Sequence, residues 1–427
     1  MSNHPFRPLR RRSVLLVWGA GVMSDAGTWI QLVVVGALVA STTGSALQTG
    51  LIALATFMPQ GFASPIGGLL ADRFDRGRVF VAGLTGQAIA TMVLAILLAN
   101  GVRHTVPLAG LIMLASTFGN IGAPAYAAML PDMVPPEELL AMSSLTIYSW
   151  NAGRIVGPII GTILARTAGP AWTVGVNAIS FACLAVAVLA LRRKFVPHDT
   201  RPGTIAERLR EGGSTARRIR ACVFGISCIA ILNFAVSPFM GLIPAYATKV
   251  FHGGVGLVGL FSSIQGVGAI TGTMLVTTLG LRFGRARVMR VVFVMLIVAY
   301  VMYALAPTAV FAGVSIFFLG AGAASSLTTM TYIVQRDAPH AQRGRIMSIL
   351  QALSGFGYGV GLVIFGALGD GIGLRVALLC SASTCLLLTL YVTHRLWYWR
   401  HALDHAQLQP EPIRPRLYPV EVATACD

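Results

Sequence analysis

Arg73-Phe74-Asp75-Arg76-Gly77-Arg78-Val79 lies between the second and third apolar stretches of the chain, and Arg282-Phe283-Gly284-Arg285-Ala286-Arg287-Val288 lies between the eighth and ninth. Five of the seven residues match. Each copy joins two apolar runs of membrane length. A polar loop repeated in the same setting implies that the hydrophobic unit around it is repeated too. Duplicated six-helix units are the architecture of many secondary transporters. A shorter echo, Met142-Ser143-Ser144-Leu145 and Met347-Ser348-Ile349-Leu350, has the same direction and nearly the same separation. The repeat is therefore parallel, related by an axis along the membrane normal.

Composition identifies the solvent. Of 427 residues, 55% are hydrophobic and 11% charged, which overrules the two or three soluble domains that length alone suggests. Apolar stretches recur at about 14–40, 46–71, 79–99, 106–129, 141–166, 171–191, 221–248, 255–280, 288–306, 309–335, 346–369 and 374–397. About 20 such residues in helical form cross the roughly 30 Å hydrocarbon layer. The runs do not alternate, which excludes a closed β-barrel. The expected fold is an all-α membrane protein, with twelve transmembrane helices in two pseudo-symmetric six-helix bundles, residues 1–191 and 221–397. A cytoplasmic linker at 192–220, with Ile205 and Leu209 among Arg and Glu, suits an amphipathic surface helix. The tail at 398–427, with four prolines in 410–419, reads as disordered.

The net charge of +17 is unevenly spread. The N-terminus, alternate loops and the C-terminus carry 27 of the 32 Lys and Arg residues. The opposite loops carry four (Arg103, Arg166, Lys249 and Arg375), and Arg154 lies inside a span. By the positive-inside rule both termini are cytoplasmic. The charge is topological, and no segment outside the spans is large enough for a basic nucleic-acid-binding domain. Five of the six cysteines (Cys183, Cys222, Cys228, Cys380 and Cys385) fall in apolar spans, with neither metal spacing nor a disulfide framework. Arg10-Arg11-Arg12 precedes a run too long for a signal peptide, so the first helix is expected to be retained. No GxxxxGK[ST] loop for ATP appears. No surface cluster of acid, base and nucleophile suggests an enzyme, and no cofactor is expected.

Gly68-Leu69-Leu70-Ala71-Asp72-Arg73-Phe74-Asp75-Arg76-Gly77-Arg78 resembles the loop 2–3 signature of the major facilitator superfamily, with Asp75 where that family usually has Gly. Gly153-Arg154-Ile155-Val156-Gly157-Pro158-Ile159-Ile160-Gly161 resembles the GxxxGPxxG element of the superfamily's drug/proton antiporters. Pro131-Asp132-Met133-Val134-Pro135-Pro136-Glu137-Glu138 and Arg343-Gly344-Arg345 look like the macrolide-efflux and enterobactin-exporter branch. The resemblance covers roughly residues 14–397. It implies a monomeric transporter of the bacterial inner membrane that exports a hydrophobic or amphipathic small molecule in exchange for protons. A dedicated siderophore or metabolite exporter is the alternative. By the same resemblance Gly153, Gly157, Pro158 and Gly161 seal the two halves on the outer side. Gly68, Asp72, Arg73, Arg76 and Asp132 are expected to gate the inner side. There Asp72 would face the N-terminal end of the eleventh helix, and Arg76 would pair with Asp132.

Asp25 is the single acid deep in any span, about eleven residues or roughly 16 Å into the first helix. A carboxylate there costs on the order of 2.5–3.5 kcal/mol, so it needs a partner or a task. A carboxyl withdrawn from water can load and release a proton near neutral pH. Proton coupling and a structural ion pair are both open, and Arg154, at similar depth, is the expected partner in either case. Trp18, Gly21 and Trp29 share the face of Asp25, and the indoles suit an aromatic or cationic substrate. The repeat maps Asp25 onto Asn233. Asn120, Asn151, Gln265, Tyr332 and Tyr358 are further polar groups in spans, serving as helix–helix hydrogen bonds or as substrate contacts.

Overall fold

The computed structural model describes residues 6–195, 205–339 and 343–405. The tail at 406–427, with its prolines and Cys426, lies outside them, as does the linker segment 196–204. The described residues form fifteen α-helices and no strand: α1 (Arg12–Thr43), α2 (Ala46–Phe57), α3 (Pro59–Arg73), α4 (Arg76–Ala99), α5 (Thr105–Met129), α6 (Leu139–Thr167), α7 (Gly169–Ala190), α8 (Ile205–Arg218), α9 (Arg220–Gly241), α10 (Ile243–Lys249), α11 (Val255–Phe283), α12 (Arg285–Ala304), α13 (Ala309–Asp337), α14 (Arg343–Gly371) and α15 (Leu374–His405).

Ten of them are long and apolar enough to cross a membrane: α1, α4, α5, α7, α9, α11, α12, α13, α14 and the first part of α15. The expected spans at 46–71 and 141–166 are helical but fall outside this set. The first is broken into α2 and α3 at Met58 and Pro59, where proline removes a backbone donor. The second, α6, carries Asn151, Arg154 and an internal Pro158. The amphipathic segment of the linker is helical, as α8, and packs on α14. The last helix runs to His405, beyond the boundary expected at 397.

The two copies of the repeated loop begin their helices by different means. In the first, Asp75 caps α4, its Oδ1 accepting from the Arg78 N–H at 2.9 Å. Its Oδ2 accepts from the N–H of Phe195 at 2.7 Å, and the Arg76 N–H donates to the Phe195 carbonyl at 3.1 Å. The loop is thereby tied to the start of the linker. In the second copy Gly284 replaces the cap and adopts φ 86°, a conformation that suits glycine.

The core differs between the halves. In residues 12–190 there are two apolar clusters, one around Val17, Phe80, Met129 and Leu184 near the repeated loop, the other around Val35, Leu94, Leu98 and Ile112 towards the opposite end. Between them the helices carry Ser24, Asp25, Gln87, Asn120 and Asn177. In residues 216–392 one cluster runs through Cys222, Leu232, Phe239, Phe293, Tyr300 and Leu350, and it also takes in Val33, Ala37, Ala46 and Ala53 of the first half. Many apolar side chains, such as Ile89, Val186, Val310 and Leu387, are exposed on the outside, as expected for helices in lipid.

Helices of the first and second halves meet along α6 with α11 and along α2 with α14. Along α6 and α2 these contacts run from mid-span towards the end opposite the repeated loops, and α3 adds contacts to α14 around Gly61. Ser263 Oγ donates to the Ile155 carbonyl at 2.8 Å, and Thr162 Oγ1 donates to the Val255 carbonyl at 3.2 Å. At that far end Asp370 of α14 caps α2. Its carboxylate accepts from Ser45 Oγ (2.6 Å), the Ala46 N–H (2.7 Å), the Leu47 N–H (3.0 Å) and Lys249 Nζ (3.0 Å). One carboxylate thus joins α14, α2 and α10.

Candidate functional site

The polar layer of the first half opens into a cavity of about 440 Å³. Asp25, Thr28, Thr56, Gln60, Gln87, Ser116, Asn120, Tyr126, Thr146 and Ser149 line it, with Phe57, Phe80, Trp150 and Phe181 as apolar walls. These residues come from α1 to α7, one short polar group per helical turn, which is why no single stretch of sequence announces the cavity. Asp25 is half-buried, and the buried Ser149 hydroxyl donates to its Oδ2. Across the cavity Tyr126 stacks on Phe80 with ring centroids 4.6 Å apart. Asp25 is the only charged group in the lining.

Arg154 is elsewhere. Its Nε donates to Gln265 Oε1 of α11 at 3.0 Å, and its guanidinium lies 5.4 Å from the ring centre of Trp29. No ion pair joins it to Asp25 among the described residues, which corrects the expected pairing. The two residues approach along the chain, since Gly153 packs on Asp25. One residue is 100° on a helix, however, and that step turns Arg154 towards α11. Trp29 is 5% exposed. Its ring centre is 5.5 Å from that of Trp150 and 6.5 Å from that of Phe57, and Phe57 is 4.8 Å from Tyr358. This aromatic group separates the cavity from a small gap of about 30 Å³ between the halves, lined by Trp29, Gln265, Tyr358, Met240 and Pro244.

The expected substrate residues therefore divide. Asn120 lines the large cavity, and Trp29, Gln265 and Tyr358 line the small gap. Asn151 and Asn233 lie along neither, and each donates to a carbonyl of its own helix, Ile147 and Ile229 respectively. Tyr332 is exposed near the loop end of α13, with the Arg285 guanidinium 4.4 Å from its ring centre. Trp18 donates its Nε1–H to the Leu145 carbonyl at 2.8 Å and so fastens α1 to α6.

A family profile described as a transmembrane secretion effector of the major facilitator type matches residues 3–417. The chain belongs to this family. Among curated relatives, the multidrug efflux pump Tap of Mycobacterium tuberculosis is 28% identical over 385 residues, 88% of this chain and 91% of that one. Tap of Mycolicibacterium fortuitum is 26% identical over 391 residues, 89% and 94% of the two chains. The enterobactin exporter EntS of Salmonella paratyphi A is 26% identical over 332 residues, 77% and 78%. Among solved structures, the nucleoside transporter NupG superposes with a TM-score of 0.68 at 14% identity, covering 91% of this chain and 99% of that one. A bacterial homologue of the iron transporter ferroportin, inward-facing, gives 0.68 at 17% identity, covering 90% and 98%. The fold is that of the major facilitator transporters, and the chain is a multi-pass membrane protein.

The glycines of the α6 element pack within the first half, while Pro158 reaches the second. A side chain on Gly153, Gly157 or Gly161 would meet the α1 backbone around Asp25, Ala26 and Ile30. The three glycines join two helices of the same half. The seam between the halves lies on the neighbouring face of α6, where the Pro158 carbonyl and Thr162 approach Gly259 of α11. Period-four spacing tracks one face only, and that face is the one against α1. Ser149 is one step before Gly153 on the same face and was missed. The signal was available, because Ser149, Gly153, Gly157 and Gly161 are evenly spaced small residues.

Near the repeated loop, Arg76 Nη1 is 3.2 Å from Asp132 Oδ2 and 3.1 Å from the Ala128 carbonyl, which bolts α4 to the end of α5. Gly68 has open space around it, and Asp72 and Arg73 end α3 beside it. Asp370 and Trp150 were not singled out by sequence, and Asp75 stood out only as a departure from the loop signature. Asp370 looks like an ordinary acid beyond the end of a span.

Proposed function

We propose that this secretion effector exports a hydrophobic or amphipathic small molecule in exchange for protons, by alternating access of two six-helix bundles. Its repeated loops and both termini would be on the cytoplasmic side of the bacterial inner membrane. The observation that carries the proposal is the wall of the large cavity, where one carboxylate, hydrogen-bonded to Ser149, stands among aromatic rings and uncharged polar groups. A carboxyl held this way can bind a proton or a cationic substrate, and competition between the two is the simplest coupling available to it. Arg154, outside the cavity, would serve as a cross-bundle contact to Gln265 that each turnover breaks. The Tap pumps, named for multidrug efflux, support this reading over most of the chain. The EntS relatives, named as enterobactin exporters, favour siderophore export as the second reading.

The test is efflux of a lipophilic cationic dye from proteoliposomes after an imposed pH jump, beside a siderophore-secretion assay in cells. The expected result is dye movement that a protonophore abolishes. Dye movement indifferent to the gradient overturns the coupling, and siderophore secretion alone overturns the substrate class.

In this reading the Asp370 cap closes the outer face. Charge-assisted hydrogen bonds contribute about 1.5–3 kcal/mol each when shielded, and less where water competes. Asp370→Ala should therefore shift the open-to-closed ratio by about five- to thirtyfold. In a background without the six native cysteines, Thr49→Cys lies in the closed gap. Its labelling by an impermeant maleimide should rise accordingly in the Asp370→Ala variant, and equal labelling rates would remove Asp370 from the outer closure.

A further inference from the structure

The outer surface of α12 carries a groove that transport leaves unexplained. It encloses about 720 Å³ between α12 and Phe318 of α13. Val291, Val294, Val298 and Met302 form its floor, and Arg287 and Arg290 stand at one end. The three valines are 63%, 55% and 52% exposed, and on a membrane-spanning helix such a face looks into lipid. From Val291 to Met302 the floor is eleven residues, roughly 16 Å at 1.5 Å per residue. That is about half of the roughly 30 Å hydrocarbon layer, or one leaflet.

The arginines are three residues apart and share a face. Neither has a hydrogen-bond, ion-pair or ring partner among the described residues. Arg290 is the sixth residue of α12, about 7.5 Å deeper than Arg285. A guanidinium at that depth is costly unless it reaches water or meets an anion. The repeated loop does not require it. Arg287 corresponds to Arg78 in the first copy, but Arg290 corresponds to Val81.

We propose that this groove binds an anionic phospholipid of the leaflet next to the repeated loops. Arg287 and Arg290 hold its phosphodiester, and an acyl chain lies along Val291, Val294, Val298 and Met302. Two guanidinium forks match phosphate oxygens in geometry as well as charge. Basic residues above an apolar channel on a spanning helix are the chemistry of anionic-lipid recognition. The proposal needs only that α12 crosses a bilayer, and it is independent of cargo and coupling ion.

The test uses full-length protein exchanged into detergent with equal amounts of phosphatidylglycerol and phosphatidylcholine, with retained lipid counted by native mass spectrometry. The native protein should retain phosphatidylglycerol preferentially, and Arg287→Gln/Arg290→Gln should lower that preference about tenfold or more. Arg217→Gln/Arg218→Gln removes the same charge from α8 and should leave the preference intact. Val294→Trp fills the groove with both arginines in place and should also displace the lipid, so the proposal remains testable if the double arginine variant fails to fold. Equal retention of the two lipids by the native protein, an equal loss in the α8 variant, or full retention by Val294→Trp would each overturn the assignment.

Discussion

Asp25→Asn is expected to insert and fold normally and to reduce pH-gradient-driven dye efflux to the leak rate of protein-free liposomes. Asparagine keeps an oxygen that accepts from the Ser149 hydroxyl, so the α1–α6 contact survives. What it loses is the exchangeable proton. A carboxyl at mid-span is costly and persists where it has a task, and no guanidinium neutralises this one in the structure. Exchange of an uncharged substrate without a gradient should continue, because the amide resembles the protonated acid, whereas exchange of a cation that competes with the proton should weaken. The two measurements together separate coupling from binding. If the gradient still drives efflux in the variant within about twofold of native, the carboxyl is not the coupling group.

Gly157→Val carries the largest expected effect on stability. Its Cβ would lie 2.8 Å from the Ala26 carbonyl oxygen and 2.9 Å from Trp29 Cβ. The first obstacle is backbone, which no rotamer change relieves, so α1 and α6 must separate. Overpacking typically costs about 1–3 kcal/mol, and the upper end applies when a whole helix must move. The checks are thermal unfolding in detergent and the yield of monodisperse protein, both of which should fall. Gly110→Val, with nothing within 4 Å of its added side chain, should melt like the native protein. Equal melting of the two variants would show that close approach at Gly157 contributes nothing.

Much of this was legible in the residues, for physical reasons that also explain the failures. The spans announce themselves because the bilayer demands long apolar runs. The exceptions, α2–α3 and α6, are where Pro59 interrupts a run and Arg154 dilutes one. Asp25 stood out because a lone acid in hydrocarbon has no cheap explanation. Its partner did not, because a charge suggests a countercharge, and the sequence offered Arg154 at the right depth. Depth was right and azimuth was wrong. A single position along α6 separates Gly153, against α1, from Arg154, which reaches Gln265. Tyr332, Asn151 and Asn233 lie along neither cavity for a similar reason, since a polar residue in a span reports its level and not the direction it faces. The wall of Gln60, Gln87, Ser116 and Tyr126 was illegible for another reason. Each residue is unremarkable in its own helix, and only the packing of seven helices assembles them.

The interrupted core of the first half has an implication for how this protein can diversify. Its second half is held by one continuous apolar cluster, so a substitution at any of its buried positions is felt as a defect. The first half is split by a polar cavity, where a changed side chain meets open space and leaves the framework standing. On the proposed function, new cargo preferences would be acquired in the first half at little mechanical cost while the second keeps its packing.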